Sequence, residues 1–167
     1  MTNNFKWFKD IKSVEQLKKV YKKLAVKHHP DLGGKTSDMQ EINNEYDQLF
    51  EELKNIHETA EGKTYTSKTE NTEKANEFKD IIEKLIHLAG VKIEIIGSWI
   101  WLTGNTYQHR EAIKQLDFKW SKSKKAWYYH KSEYRKHNAR TFTLDEIRNL
   151  YGSEEIRNDP ALKLQIV

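Results

Sequence analysis

The sequence predicts an α+β chain of two domains: an amino-terminal all-α helical hairpin, then a small, mostly antiparallel sheet with helices in the order α-β-β-α-β-β-α. Three observations predict it. Apolar residues recur at steps of three and four on both sides of Pro30. Residues 91–103 and 118–130 carry alternating or densely aromatic and β-branched runs, broken by Gly97 and by a basic turn. Between these regions, residues 58–72 read ETAEGKTYTSKTENT, polar, Thr-rich and without period. This reading places the hairpin domain over 1–57, a flexible linker over 58–72, an α+β domain over 73–152 and a loose tail over 153–167.

Within the first domain, Trp7, Phe8 and Ile11 predict one helical turn covering the end of the hairpin. Ser13 is the expected N-cap of the next helix, with Gln16 three residues on. Val14, Leu17, Val20, Tyr21 and Leu24 mark its buried stripe, and Lys18, Lys19, Lys22, Lys23 and Lys27 fall largely away from it as a positive outer face. Pro30 has no N–H to give and pushes the preceding residue out of the α region, so the helix must stop near His28 or His29. Gly33 and Gly34 supply turn freedom. A second helix is expected from Thr36 past Phe50, with Met39, Ile42, Tyr46, Leu49 and Leu53 facing inward. It is acidic, and its pairing with the basic helix is electrostatically favourable. Exposed ion pairs contribute less than about 1 kcal/mol each, so the apolar stripes carry the stability.

The tip of this hairpin is His29-Pro30-Asp31. Taken as an enzyme site, His29 and Asp31 form a conceivable acid–base pair, but an exposed turn has no pocket to exclude water and no nucleophile stands nearby. No catalytic residue is assigned. As a recognition device the loop is well made: Pro30 fixes the backbone and the Asp31 carboxylate accepts a bidentate arginine from a partner.

The run Leu17-x-x-Val20-Tyr21-Lys22-Lys23-Leu24-Ala25-x-Lys27-x-His29-Pro30-Asp31, followed by Glu41-Ile42-Asn43-x-x-Tyr46, resembles the J-domain of DnaJ-type co-chaperones over roughly Phe5 to His57. That resemblance implies a protein that docks on the ATP-bound form of a DnaK-type chaperone ATPase and speeds its ATP hydrolysis. By position, Lys18, Tyr21, Lys22, Lys23 and Lys27 match the docking helix, and His29, Pro30 and Asp31 the triggering loop. Met39 stands where the family commonly has Phe, and Leu32 where it commonly has a basic residue. The chain has no cysteine, so the zinc module of larger J-proteins is missing and disulfides are excluded.

Along the second domain, Phe78, Ile81, Ile82, Leu85, Leu88 and Ala89 predict a helix from about Glu73 that stops at Gly90. Val91–Ile95 and Ser98–Thr103 predict two strands or one bent strand, and Gly104-Asn105-Thr106 a turn capping a helix from Tyr107 to Leu116. Phe118–Trp120 and Ala126–His130 predict a hairpin, and Thr143 with Glu146 a capping box for a last helix ending at Gly152. The string from Trp99 to Tyr129 is similar to a short module that accompanies J-domains in some phage and mobile-element proteins.

Charge separates the two halves. Residues 1–60 hold 10 Lys/Arg and 10 Asp/Glu, whereas residues 97–140 hold 10 against 3. Trp99 or Trp101, Phe118 and Trp127 are expected in the core, and other aromatics, Tyr134 among them, interleave with Lys131, Arg135, Lys136 and Arg140. Arg110, Lys119, Trp120, Lys122, Lys124, Lys125 and Tyr128 form the candidate client or nucleic-acid surface. Two partner classes fit it: an unknown client protein to which the chaperone is brought, or nucleic acid bound by a phage or mobile-element accessory protein that recruits host chaperone. His109, His130 and His137 lack zinc-ligand spacing, so neither a metal nor a cofactor is expected. No apolar run approaches the roughly 20 residues of a membrane span, and the start lacks a signal-peptide pattern, so the expected setting is the cytoplasm.

Overall fold

A computed structural model describes residues 5–131, 141–151 and 156–157 of the chain. The architecture is mixed α+β, and the chain divides into two compact units, one running to Glu83 and the other from Lys84.

The first unit is built on a helical hairpin. α1 (Val14–His28) starts where Ser13 Oγ accepts the Gln16 N–H, and it ends where Pro30 forbids another turn. A short 3-10 turn over Pro30–Leu32 leads to α2 (Thr36–Leu53). His28 lies near Asp38 at one end, and Tyr21 meets Tyr46 a turn or two further back, so the helices run antiparallel. Leu17, Tyr21 and Ala25 on α1 close against Met39, Ile42, Tyr46, Leu49 and Leu53 on α2, as the three-and-four spacing predicts. Tyr46 is fully buried at the centre, with its ring 4.6 Å from Tyr21 and 5.8 Å from Phe50.

Residues 5–12 correct one expectation: they form no helical turn. The amides of Lys6, Trp7 and Phe8 donate instead to the Glu45 carboxylate on α2, at 2.9, 2.9 and 3.3 Å, and Trp7 Nε1 donates to Glu41. A carboxylate that collects three N–H groups replaces the intrahelical acceptors those groups would otherwise need.

The expected linker is also corrected. β1 (Ile56–Glu58) and β2 (Thr64–Thr66) pair antiparallel inside it, with Ile56 opposite Thr66. The strands are tied to α1 by Glu15, which accepts the Glu58 N–H and meets His57 Nδ1 at 2.6 Å. Beyond them, Asn71 Nδ2 donates to the Lys54 carbonyl and the Glu73 N–H donates to Asn71 Oδ1. Order here comes from backbone ladder and polar side chains, which leave no apolar period in the sequence.

α3 (Ala75–Leu85) follows, and the boundary between the units falls inside it at residue 83, not at residue 72 as expected. Phe78 explains the shift: its ring lies 6.1 Å from both Tyr21 and Tyr46, in the core of the first unit. The helix stops at Leu85, five residues short of Gly90, and gives way to turns closed by Leu88 and Val91 amides.

The second unit is a five-stranded antiparallel sheet in the order β5-β6-β4-β3-β7. β3 (Val91–Ile96) and β4 (Trp99–Gly104) form a hairpin turning at Gly97, whose φ of 59° suits glycine. Residues Tyr107–His109 make a 3-10 turn before α4 (Arg110–Gln115), which buries Ile113; Thr106 gives no side-chain cap, unlike the expectation. β5 (Lys119–Ser121) and β6 (Ala126–Tyr129) make the predicted second hairpin, and β6 lies against β4. α5 (Leu144–Tyr151) opens with a reciprocal capping box: the Glu146 N–H donates to Thr143 Oγ1 and the Thr143 N–H to Glu146 Oε2. β7 (Ile156–Arg157), inside the expected tail, pairs with β3. Tyr134, Arg135, Lys136, His137, Arg140, the stop at Gly152 and the rest of the tail lie outside the described residues. Among the described residues, no helix is long and apolar enough to cross a membrane.

Candidate partner-docking site

The hairpin tip is held by its own histidine. His29 Nδ1 accepts the Asp31 N–H at 3.2 Å, and the His29 carbonyl accepts both the Leu32 and Gly34 amides at 2.9 Å. The imidazole is therefore turned inward, with 12% of its side chain exposed, while the Asp31 side chain is 67% exposed. His29 and Asp31 approach to 3.9 Å without a side-chain hydrogen bond, so the loop is shaped as a presented carboxylate on a braced turn. Both glycines are required, for different reasons. Gly33 has a φ of 94°, and a Cβ on Gly34 would lie 2.0 Å from the His28 carbonyl oxygen.

The positive face of α1 is placed differently from the sequence expectation. Lys23 and Lys27 are exposed. Lys18 is only 8% exposed, Tyr21 3% and Lys22 1%. The Lys18 ammonium donates to Glu73 Oε2 at 2.6 Å and lies 5.1 Å from the centre of the Phe78 ring. Tyr21 donates to Asn43 Oδ1 at 2.9 Å, and burial raises its phenol pKa well above the usual range. Lys79 adds an ion pair to Asp47 of α2 at 2.6 Å, and Glu83 comes within 4.0 Å of His29 Nε2. Period counting assigns Lys18 to solvent because it considers α1 and α2 alone. Glu73 and Phe78 supply the second covering surface, and the only signal for them is an acidic, Phe-bearing helix placed next in the chain.

In the second unit the candidate surface residues do not share one face. Tyr128 pairs across β4 with Trp101 and across β5 with Lys119, so these three face one side of the sheet. Trp120 pairs with Trp127 and faces the other. On the first side Trp101, Ala126 and Ile96 are covered by Leu144 of α5, with Trp99, Tyr128 and Ile147 packed around them. Lys124 reaches 5.8 Å from the Trp101 ring. On the second side Trp120, at the edge strand, remains 45% exposed. Lys119, Lys122 and Lys125 are exposed, and Arg110 lies over the exposed ring of Tyr107 at 4.8 Å. Trp101, Phe118 and Trp127 are core, as expected.

Nothing in the periodicity marks the pair that anchors α5. Glu94 of β3 is fully buried and takes both a 2.7 Å bond from Arg148 Nε and a second from its terminal nitrogen. Asp145 also accepts from Arg148, and these carboxylates hold the guanidinium charged.

No family model matches the chain, and neither does any curated protein or solved structure.

Proposed function

We propose that this chain is a J-domain-type co-chaperone of the cytoplasm, which stimulates a DnaK-type chaperone ATPase and directs it to a client held by the second unit. The observation that supports it most is the tip: a proline-fixed turn between antiparallel helices, braced by His29 and presenting the Asp31 carboxylate outward. The chain performs no chemistry of its own in this reading. It binds one conformation of its partner better than the other, and a coupling of about 1–3 kcal/mol is enough to change the partner's rate visibly.

The test is single-turnover ATP hydrolysis by a purified DnaK-type chaperone. The wild-type chain accelerates it. In His29→Gln the amide oxygen lies one bond further from the backbone than Nδ1, so the brace to the Asp31 N–H is lost while the hairpin, held by its apolar stripes, still melts cooperatively, and the variant does not stimulate. Equal stimulation by a well-folded His29→Gln chain contradicts the reading.

For the client, the exposed Trp120 on an edge strand that also carries Lys119 favours an acidic partner at that edge. Nucleic acid and acidic protein separate by salt: binding that falls steeply with ionic strength, and with Trp120→Ala, indicates a polyanion with bases to stack.

A further inference from the structure

We propose that residues 73–83 are a resident occupant of the α1 docking face: an acidic, phenylalanine-bearing segment that holds Lys18 and Tyr21 until an acidic partner surface displaces it. This rests on the co-chaperone reading and goes beyond it, because it makes the free chain a closed form.

Lys18, Tyr21 and Lys22 stand at i, i+3 and i+4 on one face of α1. Two of the three are lysines. Lysine is almost never fully buried unless paired, and removing its ammonium from water costs several kcal/mol before any partner offsets part of it. A face meant only to seat a helix would do as well or better with apolar residues of similar volume. Lysines retained there fit a face that is charged and open in a second state.

The occupant is complementary. Glu73 takes the Lys18 ammonium, Phe78 lies against Tyr21 and under Lys18 Nζ, and Glu83 reaches the His29 ring. Residues 73–83 carry four carboxylates, Glu73, Glu77, Asp80 and Glu83, against Lys74 and Lys79. α1 carries five lysines against Glu15. The segment thus spans the positions expected to touch the chaperone, from the middle of α1 to the loop.

Its departure exposes Phe78 and Ile82, both fully buried, so the partner surface must offset that cost. α3 has 11 residues, below the about 12–15 at which an isolated helix holds in water, so its helicity leans on what it packs against. It is tethered to α2, so it competes as an intramolecular ligand at an effective concentration on the order of millimolar. A partner meets an affinity lowered by the fraction of chains that are open.

The test uses the full chain and two variants, Glu73→Lys and Phe78→Ala, with melting followed by circular dichroism. Reductive methylation with peptide mass spectrometry reads each lysine. In wild type, Lys18 reacts at least about tenfold more slowly than Lys23 and Lys27. Glu73→Lys brings Lys18 within about twofold of them and lowers the concentration needed for half-maximal ATPase stimulation at least about fivefold. Phe78→Ala acts in the same direction. Wild-type Lys18 reacting as fast as Lys23 overturns the proposal. So does unchanged or weaker stimulation by a cooperatively melting Glu73→Lys chain whose Lys18 has become reactive. If neither wild type nor variants stimulate while the lysine rates move as expected, the co-chaperone reading fails and the chaperone is not the displacing partner.

Discussion

Removing the guanidinium at Arg148 tests how α5 is fastened to the sheet. Glu94 is fully buried, and Arg148 gives it two charge-assisted bonds while 26% of the arginine side chain still faces water. Breaking a buried ion pair by deleting one partner costs about 3–5 kcal/mol, because the other charge is left in an apolar setting. Water reaching the arginine side of this pair reduces that to about 2–3 kcal/mol. In Arg148→Ala the stranded Glu94 sits across the ladder from Trp101, within the sheet that Leu144 covers, so the loss falls on the second unit. For a unit of this size it corresponds to a drop in Tm of roughly 8–24 °C. The double variant Glu94→Met with Arg148→Met removes both charges and recovers most of that loss. Urea unfolding followed by tryptophan fluorescence reads it, since four of the five tryptophans, Trp99, Trp101, Trp120 and Trp127, belong to the second unit. An Arg148→Ala chain within about 0.5 kcal/mol of wild type, or a double variant no better than the single, refutes the reasoning.

The two buried tyrosines of the first unit respond oppositely. The Tyr46 hydroxyl is buried without a hydrogen-bond partner among the described residues, so Tyr46→Phe is neutral or stabilising, whereas Tyr21→Phe loses the bond to Asn43 and costs about 1 kcal/mol in chemical denaturation. Burial raises both phenol pKa values, so their contribution is intact below about pH 10, the unfolded value, and is lost as pH rises toward the folded value; a pH–melting series shows the hairpin losing stability above about pH 10, later in the double Phe variant. Gly34→Ala drives a Cβ into the His28 carbonyl and costs at least about 2 kcal/mol, with chaperone stimulation lost although Pro30 and Asp31 are untouched; Gly33→Ala, a left-handed residue in open space, costs about 1 kcal/mol by the same denaturation assay.

Much of the fold is legible because it is written in local rules. Pro30 ends α1, the Thr143–Glu146 pair caps α5, and Gly97 turns the β3–β4 hairpin, each within a few residues of its cause. The core stripe of α2 follows from period alone. What escapes is tertiary. The β1–β2 hairpin is fixed by Glu15 and Asn71, polar residues with no periodic signature. The amino-terminal segment is fixed by two glutamates, Glu41 and Glu45, far along the chain on α2. The exposed carboxylate at the loop tip follows from the proline turn itself, but the basic face reads as open because burial by Glu73 and Phe78 depends on where the next helix lands. The split of Tyr128 and Trp120 onto opposite faces follows from period two once register is known, and register is the missing quantity.

The most direct measurement is the affinity of the chain for an ATP-bound DnaK-type chaperone, titrated with wild type and with Asp31→Asn. That substitution keeps the size of a side chain that is 67% exposed and removes its charge, and a melting curve for each chain confirms that both are folded. The account predicts saturable binding for wild type and at least about a tenfold loss for Asp31→Asn, the size of one charge-assisted contact. Indistinguishable affinities for the two chains contradict it.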